Sequence, residues 1–257
     1  MPQTPLPRPP TARDADRQPS HGERVAAELR DEILRGRFRA GERLPSERDL
    51  ALRFAVHRGA VREALKKLEQ LGLAEIRPGG ARVSPLEQAS LDVVEHLIDL
   101  EDPPDPQLVD QVLQVLGGLF AMAARIGVER ANETQRGRAA ALLASFGEPG
   151  LEPQERYARL DQLGDLFVDA SANLVLRLVM HGLKTSQILD RLQRGRERRG
   201  LQQPPMPAPL LKRIERAVLD GDGASASNLL NELTSGFRRF ARETLEAERA
   251  ELHWRKT

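Results

Sequence analysis

The sequence predicts a mostly α chain in two parts: three helices with a β-hairpin at the N-terminal end, then an antiparallel bundle of six to seven helices. Three observations predict this. Between residues 21 and 71, apolar residues recur at helical spacing in three separate runs. A Pro-Gly-Gly triplet at 78–80 divides two short extended stretches. Beyond residue 88 the helical period returns, and no alternating β-branched stretch interrupts it.

A length of 257 residues allows two domains of ordinary size. Lys and Arg number 39 against 38 Asp and Glu, so overall charge does not point to a nucleic-acid partner. The absence of cysteine excludes disulfides and thiolate metal sites, and fits a reducing cytoplasm. Residues 1–20 carry Pro2, Pro5, Pro7, Pro9, Pro10 and Pro19 among scattered charges. That stretch cannot bury enough apolar surface to offset its ordering entropy, and it reads as a disordered tail without the apolar core of a signal peptide. No continuous apolar run approaches the roughly 20 residues of a membrane helix. The longest is about Ala139–Phe146. A soluble protein with no membrane partner is therefore expected.

In the first domain, residues 21–85, the run His21–Gly36 places Val25, Ala26, Leu29, Ile33 and Leu34 at helical spacing, and Gly36 is suited to end it. A short extended stretch, Arg37–Pro45, follows. Ser46 then opens Ser-Glu-Arg-Asp, a capping box in which Asp49 replaces the usual Glu or Gln. The helix behind it, Glu47–Phe54, has Leu50 and Leu52 as its larger apolar residues. Ala55-Val56-His57 breaks the period. Arg58–Leu71 is a longer helix with Val61, Ala64, Leu65, Leu68 and Leu71 on one side and Arg58, Arg62 and Lys66 off that stripe. Leu73–Arg77 and Ala81–Ser84 pair as a hairpin around Pro78-Gly79-Gly80.

Helix, short helix, tight turn, long helix and hairpin is the order of a winged helix-turn-helix, whose long helix enters the major groove with its N-terminal residues. Across 21–85 there are 14 Lys and Arg against 10 Asp and Glu, an excess of four that leaves the remainder slightly acidic. A basic head on an acidic body suits docking on phosphates, although a solvated surface of mixed charge fits equally well. Topology decides between them.

The blocks Leu44-Pro45-Ser46-Glu47-Arg48-Asp49-Leu50-Ala51, Val56-His57-Arg58-Gly59-Ala60-Val61-Arg62-Glu63-Ala64-Leu65 and Leu68…Gly72-Leu73 together resemble the DNA-binding domain of GntR-type regulators. That resemblance implies a DNA-contacting set of Arg48, His57, Arg58, Gly59, Arg62 and Gly79, the last at the wing. An arginine grips guanine O6/N7 or a phosphate bidentately. Arg58 is expected to read a base, with Arg48 and Arg62 mixing base and phosphate contacts. Two departures alter the expected operator. His57 stands where relatives carry Ser or Thr, either accepting a hydrogen bond at the helix start or donating one to phosphate. Gly59 and Ala60 remove side chains that relatives use.

In the second domain, residues 88–250, Pro103, Pro104 and Pro106 end a first segment, and Leu108, Val112, Val115, Leu116, Leu119 and Phe120 mark the next. Further helices are expected over about 132–147, 152–171, 173–199, 207–221 and 223–250. Ala170-Ser171-Ala172-Asn173 and the segment after it resemble the all-helical effector-binding domain of the FadR subfamily, with Asn173 as a helix cap. Many members of that subfamily hold a divalent metal with one acidic residue and three histidines. The histidine expected before the Ala170 corner falls here on Gly164, and the late-helix histidine on Leu233 or Thr234. His96 and His181 are read as surface or helix-end residues. No metal and no other cofactor is therefore expected.

The subfamily's second-helix arginine falls on Leu116 and its nearby acidic residue on Phe120. Leu116, Phe120, Gly164 and Leu233 are thus the effector-pocket candidates, and their apolar character favours a greasier ligand. The fatty-acid-responsive branch, which lacks the metal and binds a long-chain acyl-coenzyme A, is the nearer comparison. Leu116, however, removes an arginine that this branch uses on the ligand's polar part. Packing of the bundle core with no ligand is the plain alternative for these four residues.

No phosphate loop, nucleophile–base order or cofactor-lysine motif points to an enzyme. The resemblance implies a cytoplasmic homodimer on a palindromic double-stranded DNA operator, its affinity shifted by a small-molecule effector. Two alternatives stay open: a helical domain that only dimerises, and a sensor of a metal-independent organic acid.

Overall fold

The computed structural model describes residues 20–148, 150–183, 185–201 and 206–254; most of the proline-rich segment read as a tail lies outside them. The chain divides into two units, the first ending at Val93 and the second beginning at Val94.

In the first unit, α1 spans His21–Leu34, α2 Glu47–Arg53 and α3 Arg58–Gln70, followed by β1, Ala74–Arg77, and β2, Gly80–Val83. Each helix starts where a side chain satisfies an otherwise orphaned N–H. Ser20 and Glu23 form a full capping box on α1. At α2 the box is only half made. The Asp49 N–H donates to Ser46 Oγ (3.2 Å), but the shorter Asp49 carboxylate takes the Ser46 hydroxyl (2.6 Å). In this box the missing methylene changes the partner.

Val25, Leu29, Val61, Ala64 and Leu68 interlock α1 with α3, and Leu50 brings in α2. Leu52, the other large apolar residue of α2, is 72% exposed. In a seven-residue helix only one narrow face reaches the core, and Leu50 occupies it. Glu32 of α1 is buried and accepts from Arg37 (3.0 Å) and from both terminal nitrogens of Arg53 on α2.

The hairpin is antiparallel, with Ala74 opposite Val83 and Arg77 opposite Gly80. Its turn is Pro78-Gly79, and Gly79 has φ 98°, a value that favours glycine. The stretch before α2 joins the hairpin as a third extended segment: Gly41 N–H donates to the Val83 carbonyl (2.8 Å), and Leu44 N–H to that of Ala81 (2.9 Å).

The second unit contains α4, Val93–Asp99, which starts at the boundary; α5, Pro106–Arg130; α6, Glu133–Ser145; α7, Pro153–Ser171; α8, Leu174–Gly182; α9, Thr185–Arg198; α10, Ala208–Leu219; and α11, Gly223–Trp254. The segment read as one helix over 173–199 is two. Gly182, a poor helix former, ends α8 at a cap on Leu183, so the apolar period continues past the end of the helix.

α5 is the central helix, packed chiefly on α11 and α7. Glycines allow the approach: a Cβ on Gly127 would lie 2.4 Å from the Phe167 carbonyl oxygen, and one on Gly117 would lie 3.0 Å from Thr234. The expectation that no segment is long and apolar enough to cross a membrane needs correction at α5. Its 25 residues meet that test by length and composition. Nearly half of the relevant window is buried against neighbouring helices, as a core helix requires.

Candidate DNA-binding face and helical-domain cavity

The start of α3 carries the candidate face. His57 is its N-cap, and its Nδ1 accepts from the Ala60 N–H (3.1 Å). The neutral ring therefore carries its proton on Nε2. A Cβ on Gly59 would lie 3.0 Å from His57 Nδ1, so the absent side chain at 59 makes room for the imidazole. Ala60, read as a position where a side chain used by relatives is lost, is 2% exposed and packs inward. The preceding turn places Ala55 at φ 51°, a left-handed conformation.

Arg48, Arg58 and Arg62 are all exposed. Arg62 Nε donates to Glu47 Oε2 (2.8 Å), tying α3 to α2. Arg48 and Arg58 hold no ion pair among the described residues, and neither does Lys66, one turn beyond Arg62. Lys67, by contrast, is engaged by Glu23 and Glu63. At the hairpin tip Gly79 is exposed, with open space around its Cα. Arg43, which the sequence reading passed over, lies against Gly80, where a Cβ would meet its guanidinium at 3.0 Å. Its place became visible only once residues 41–44 were seen to pair with the wing.

The second unit encloses a cavity of about 670 Å³. Leu116, Phe120, Gly164 and Leu233 all line it. The Phe120 ring meets Phe167 edge-on (centroids 5.9 Å apart) and covers Gly164, whose Cβ would lie 3.3 Å from it. Leu116 also packs with Ile98, Val112 and Ile188 in a small core of its own. Asn173 caps α8 through the Leu176 N–H (3.1 Å).

The four candidate positions offer no metal-ligating side chain. Among the described residues, no group of three or more His, Asp or Glu side chains is placed to hold a metal ion. His181 is exposed at the end of α8, and His96 lies in the last turn of α4 beside Glu95. Gly164 and Leu233 thus supply no ligand at the positions where the resemblance expects histidines.

Residues that the sequence reading did not single out form one end of the cavity: Arg156 and Tyr157 of α7, Arg196 of α9, and Arg199 just beyond α9. The Arg196 guanidinium stacks over the Phe240 ring of α11 (5.3 Å), and Arg199 pairs with Asp102 and Glu248 (3.0 Å each). Burial pushes the Tyr157 phenol up, which keeps it a hydrogen-bond donor. Burial lowers the pKa of Arg196, with Arg199 acting in the same direction and Tyr157 and Glu248 against it.

A three-helix unit with an exposed basic helix start and a glycine-tipped hairpin defines a winged helix-turn-helix of the DNA-binding class. Residues 21–83 match the bacterial regulatory proteins of the gntR family. The chain is similar to an uncharacterized HTH-type transcriptional regulator of Mycobacterium tuberculosis, 36% identical over 110 residues, 42% of this chain and 44% of the relative. It is also similar to a fatty acid metabolism regulator protein of Erwinia tasmaniensis, 32% identical over 158 residues, 60% of this chain and 64% of the relative. In both, the match spans less than two thirds of the relative's own length. A transcriptional regulator (GntR family member) from Pseudomonas syringae pv. tomato str. DC3000 aligns over 91% of each chain at 20% identity, with a TM-score of 0.48. The similarities are to transcription regulators and not to enzymes.

Proposed function

We propose that the chain is a ligand-responsive transcription regulator that works in the cytoplasm as a homodimer on a roughly palindromic DNA operator. The observation that carries this reading is the exposed start of α3, where Arg58 and the nearby α2 residue Arg48 keep their charges clear of protein partners among the described residues. Unpaired guanidiniums at a helix start can form bidentate contacts with a base edge or a phosphate. The contacting set is Arg48, His57, Arg58, Gly59, Arg62 and Gly79. His57, with Nδ1 occupied by the cap, offers only its Nε2–H to DNA. Arg62 must exchange its bond to Glu47 for any contact with DNA.

The effector occupies the helical-domain cavity, and its walls at Leu116, Phe120, Gly164 and Leu233 select an apolar molecule, such as a fatty acyl-CoA. Similarity to fatty acid metabolism regulators supports that class. The test is anisotropy titration of operator DNA, recovered by selection from a random duplex pool. Arg58→Ala is expected to cost about 1–3 kcal/mol and to relax preference at one base pair. Equal weakening on every sequence reassigns Arg58 to phosphate, and unchanged binding removes it from the face.

A further inference from the structure

The hairpin of the first unit carries positive charge outside the contacting set named above. Residues 41–44 run along β2: besides the bonds from Gly41 and Leu44, the Val83 N–H donates to the Glu42 carbonyl (2.9 Å), and Arg43 stands directly opposite Arg82. Residues opposite each other in a ladder share one face of the sheet. β1 adds Glu75, opposite Arg82, and Arg77, opposite Gly80. All four charged residues are exposed, while Leu44, Ala81 and Val83 are buried on the other face. We propose that Arg43 and Arg82 together hold a phosphate of the DNA backbone, beside the bases read from α3. This rests on the reading of the first unit as a DNA-binding domain.

Like charges placed directly opposite each other repel. Glu75 and Arg77 neutralise one another (2.6 Å). That leaves Arg43 and Arg82 side by side, with no carboxylate paired to either among the described residues. Arg82 Nη1 donates to the Gly41 carbonyl (2.9 Å), which fixes the guanidinium without removing its charge. Arg43 lies over Gly80, where a Cβ would come within 3.0 Å of its Nε. The missing side chain at position 80 thus lets this guanidinium lie close to the hairpin tip.

An anion between the two arginines turns a repulsive pair into a clamp, because each guanidinium offers charge-assisted donors in a fixed plane. The free protein has no use for this arrangement, whereas a backbone phosphate satisfies it. A small free phosphate offers the same chemistry, so both sources are tested.

Anisotropy titration over a range of salt, on the selected operator and on random duplex, tests the proposal. Arg43→Ala is expected to weaken both by about five- to tenfold and to lower the slope of log affinity against log salt by about one for each bound chain. Base preference stays as it was. Arg43→Lys is expected to keep the slope. If one phosphate is shared, adding Arg82→Ala to Arg43→Ala costs less than the product of the two single losses. Arg43 has no ion pair to lose among the described residues, so the thermal midpoint of Arg43→Ala is expected to stay unchanged, which separates lost binding from lost fold. Unchanged affinity and slope overturn the proposal and leave the Arg58 reading intact. Altered base preference at an unchanged slope moves Arg43 to a base edge and overturns the phosphate contact. So does an Arg43-dependent rise of the midpoint in inorganic phosphate with DNA binding unaffected, which makes the pair a small-anion site. A natural chain that binds no duplex overturns the DNA-binding reading itself.

Discussion

At the head of α3, a histidine and a glycine occupy positions where the sequence departs from the usual GntR pattern, and the structure shows that the two depend on each other. His57 folds back to cap the helix, and it can do so because position 59 has no side chain. Removing the cap with His57→Ala is expected to cost about 1 kcal/mol, whereas His57→Ser keeps it. Gly59→Ala improves helix propensity by up to about 1 kcal/mol but crowds the imidazole. Beside the natural His57 that gain is expected to be lost; combined with His57→Ser it is expected to appear. Urea unfolding of the natural chain, the two single variants His57→Ser and Gly59→Ala, and the double variant measures the coupling. Strict additivity would remove the link between the two positions. The sequence displayed both departures, but a cap acceptor and a crowding contact are matters of ring direction, which residue order does not give.

Between elements, charge pairs and glycines hold the helices in place, and these were the least legible features. Periodicity located the helices because burial imposes it, and it failed where the apolar period crossed from one helix to the next, α8 ending at Gly182 and α9 beginning at Thr185. Nothing in the residue order marks Glu32 as buried, since its partner Arg53 lies 21 residues away on another helix. Arg53, chiefly through its hydrogen bonds, holds the Glu32 carboxyl below its ordinary value despite the cost of burial. A depressed carboxylate pKa contributes stability above the unfolded value, near 4.5, and that contribution is lost as pH falls through the folded value. Glu32→Gln is therefore expected to destabilise the first unit at pH 7 by about 1–3 kcal/mol and to flatten its stability profile below about pH 4.5. Asp110 in the second unit behaves in the same direction, held down by Arg238, which donates to both of its oxygens (2.9 and 2.8 Å). Gly127→Ala is the packing counterpart. Its methyl meets backbone that cannot rotate away, and the expected loss is about 1–3 kcal/mol or more in thermal unfolding. A neutral result would mean that α5 and α7 separate at little cost.

For the whole molecule, two ligands are expected to act on one chain, and thermodynamics links them whatever path joins their sites. If an effector in the cavity weakens operator binding by a factor, the operator must weaken effector binding by the same factor. Coupling of this kind is typically about 1–3 kcal/mol, or roughly 5- to 150-fold. The operator arm also has its own electrostatic signature. Arg48, Arg58 and Lys66 carry charge clear of ion pairs among the described residues, whereas Arg62 must first give up Glu47. Lys66→Ala is thus expected to reduce the slope of log affinity against log salt by about one for each chain that contacts phosphate, with sequence preference intact. Titrating dodecanoyl-CoA into the free chain and into the operator complex closes the cycle. A factor different from one, equal in the two directions, establishes a sensor. Effector binding that ignores the operator, with DNA binding that ignores the effector, would leave a DNA-binding domain and a cavity that share a chain without sharing a signal.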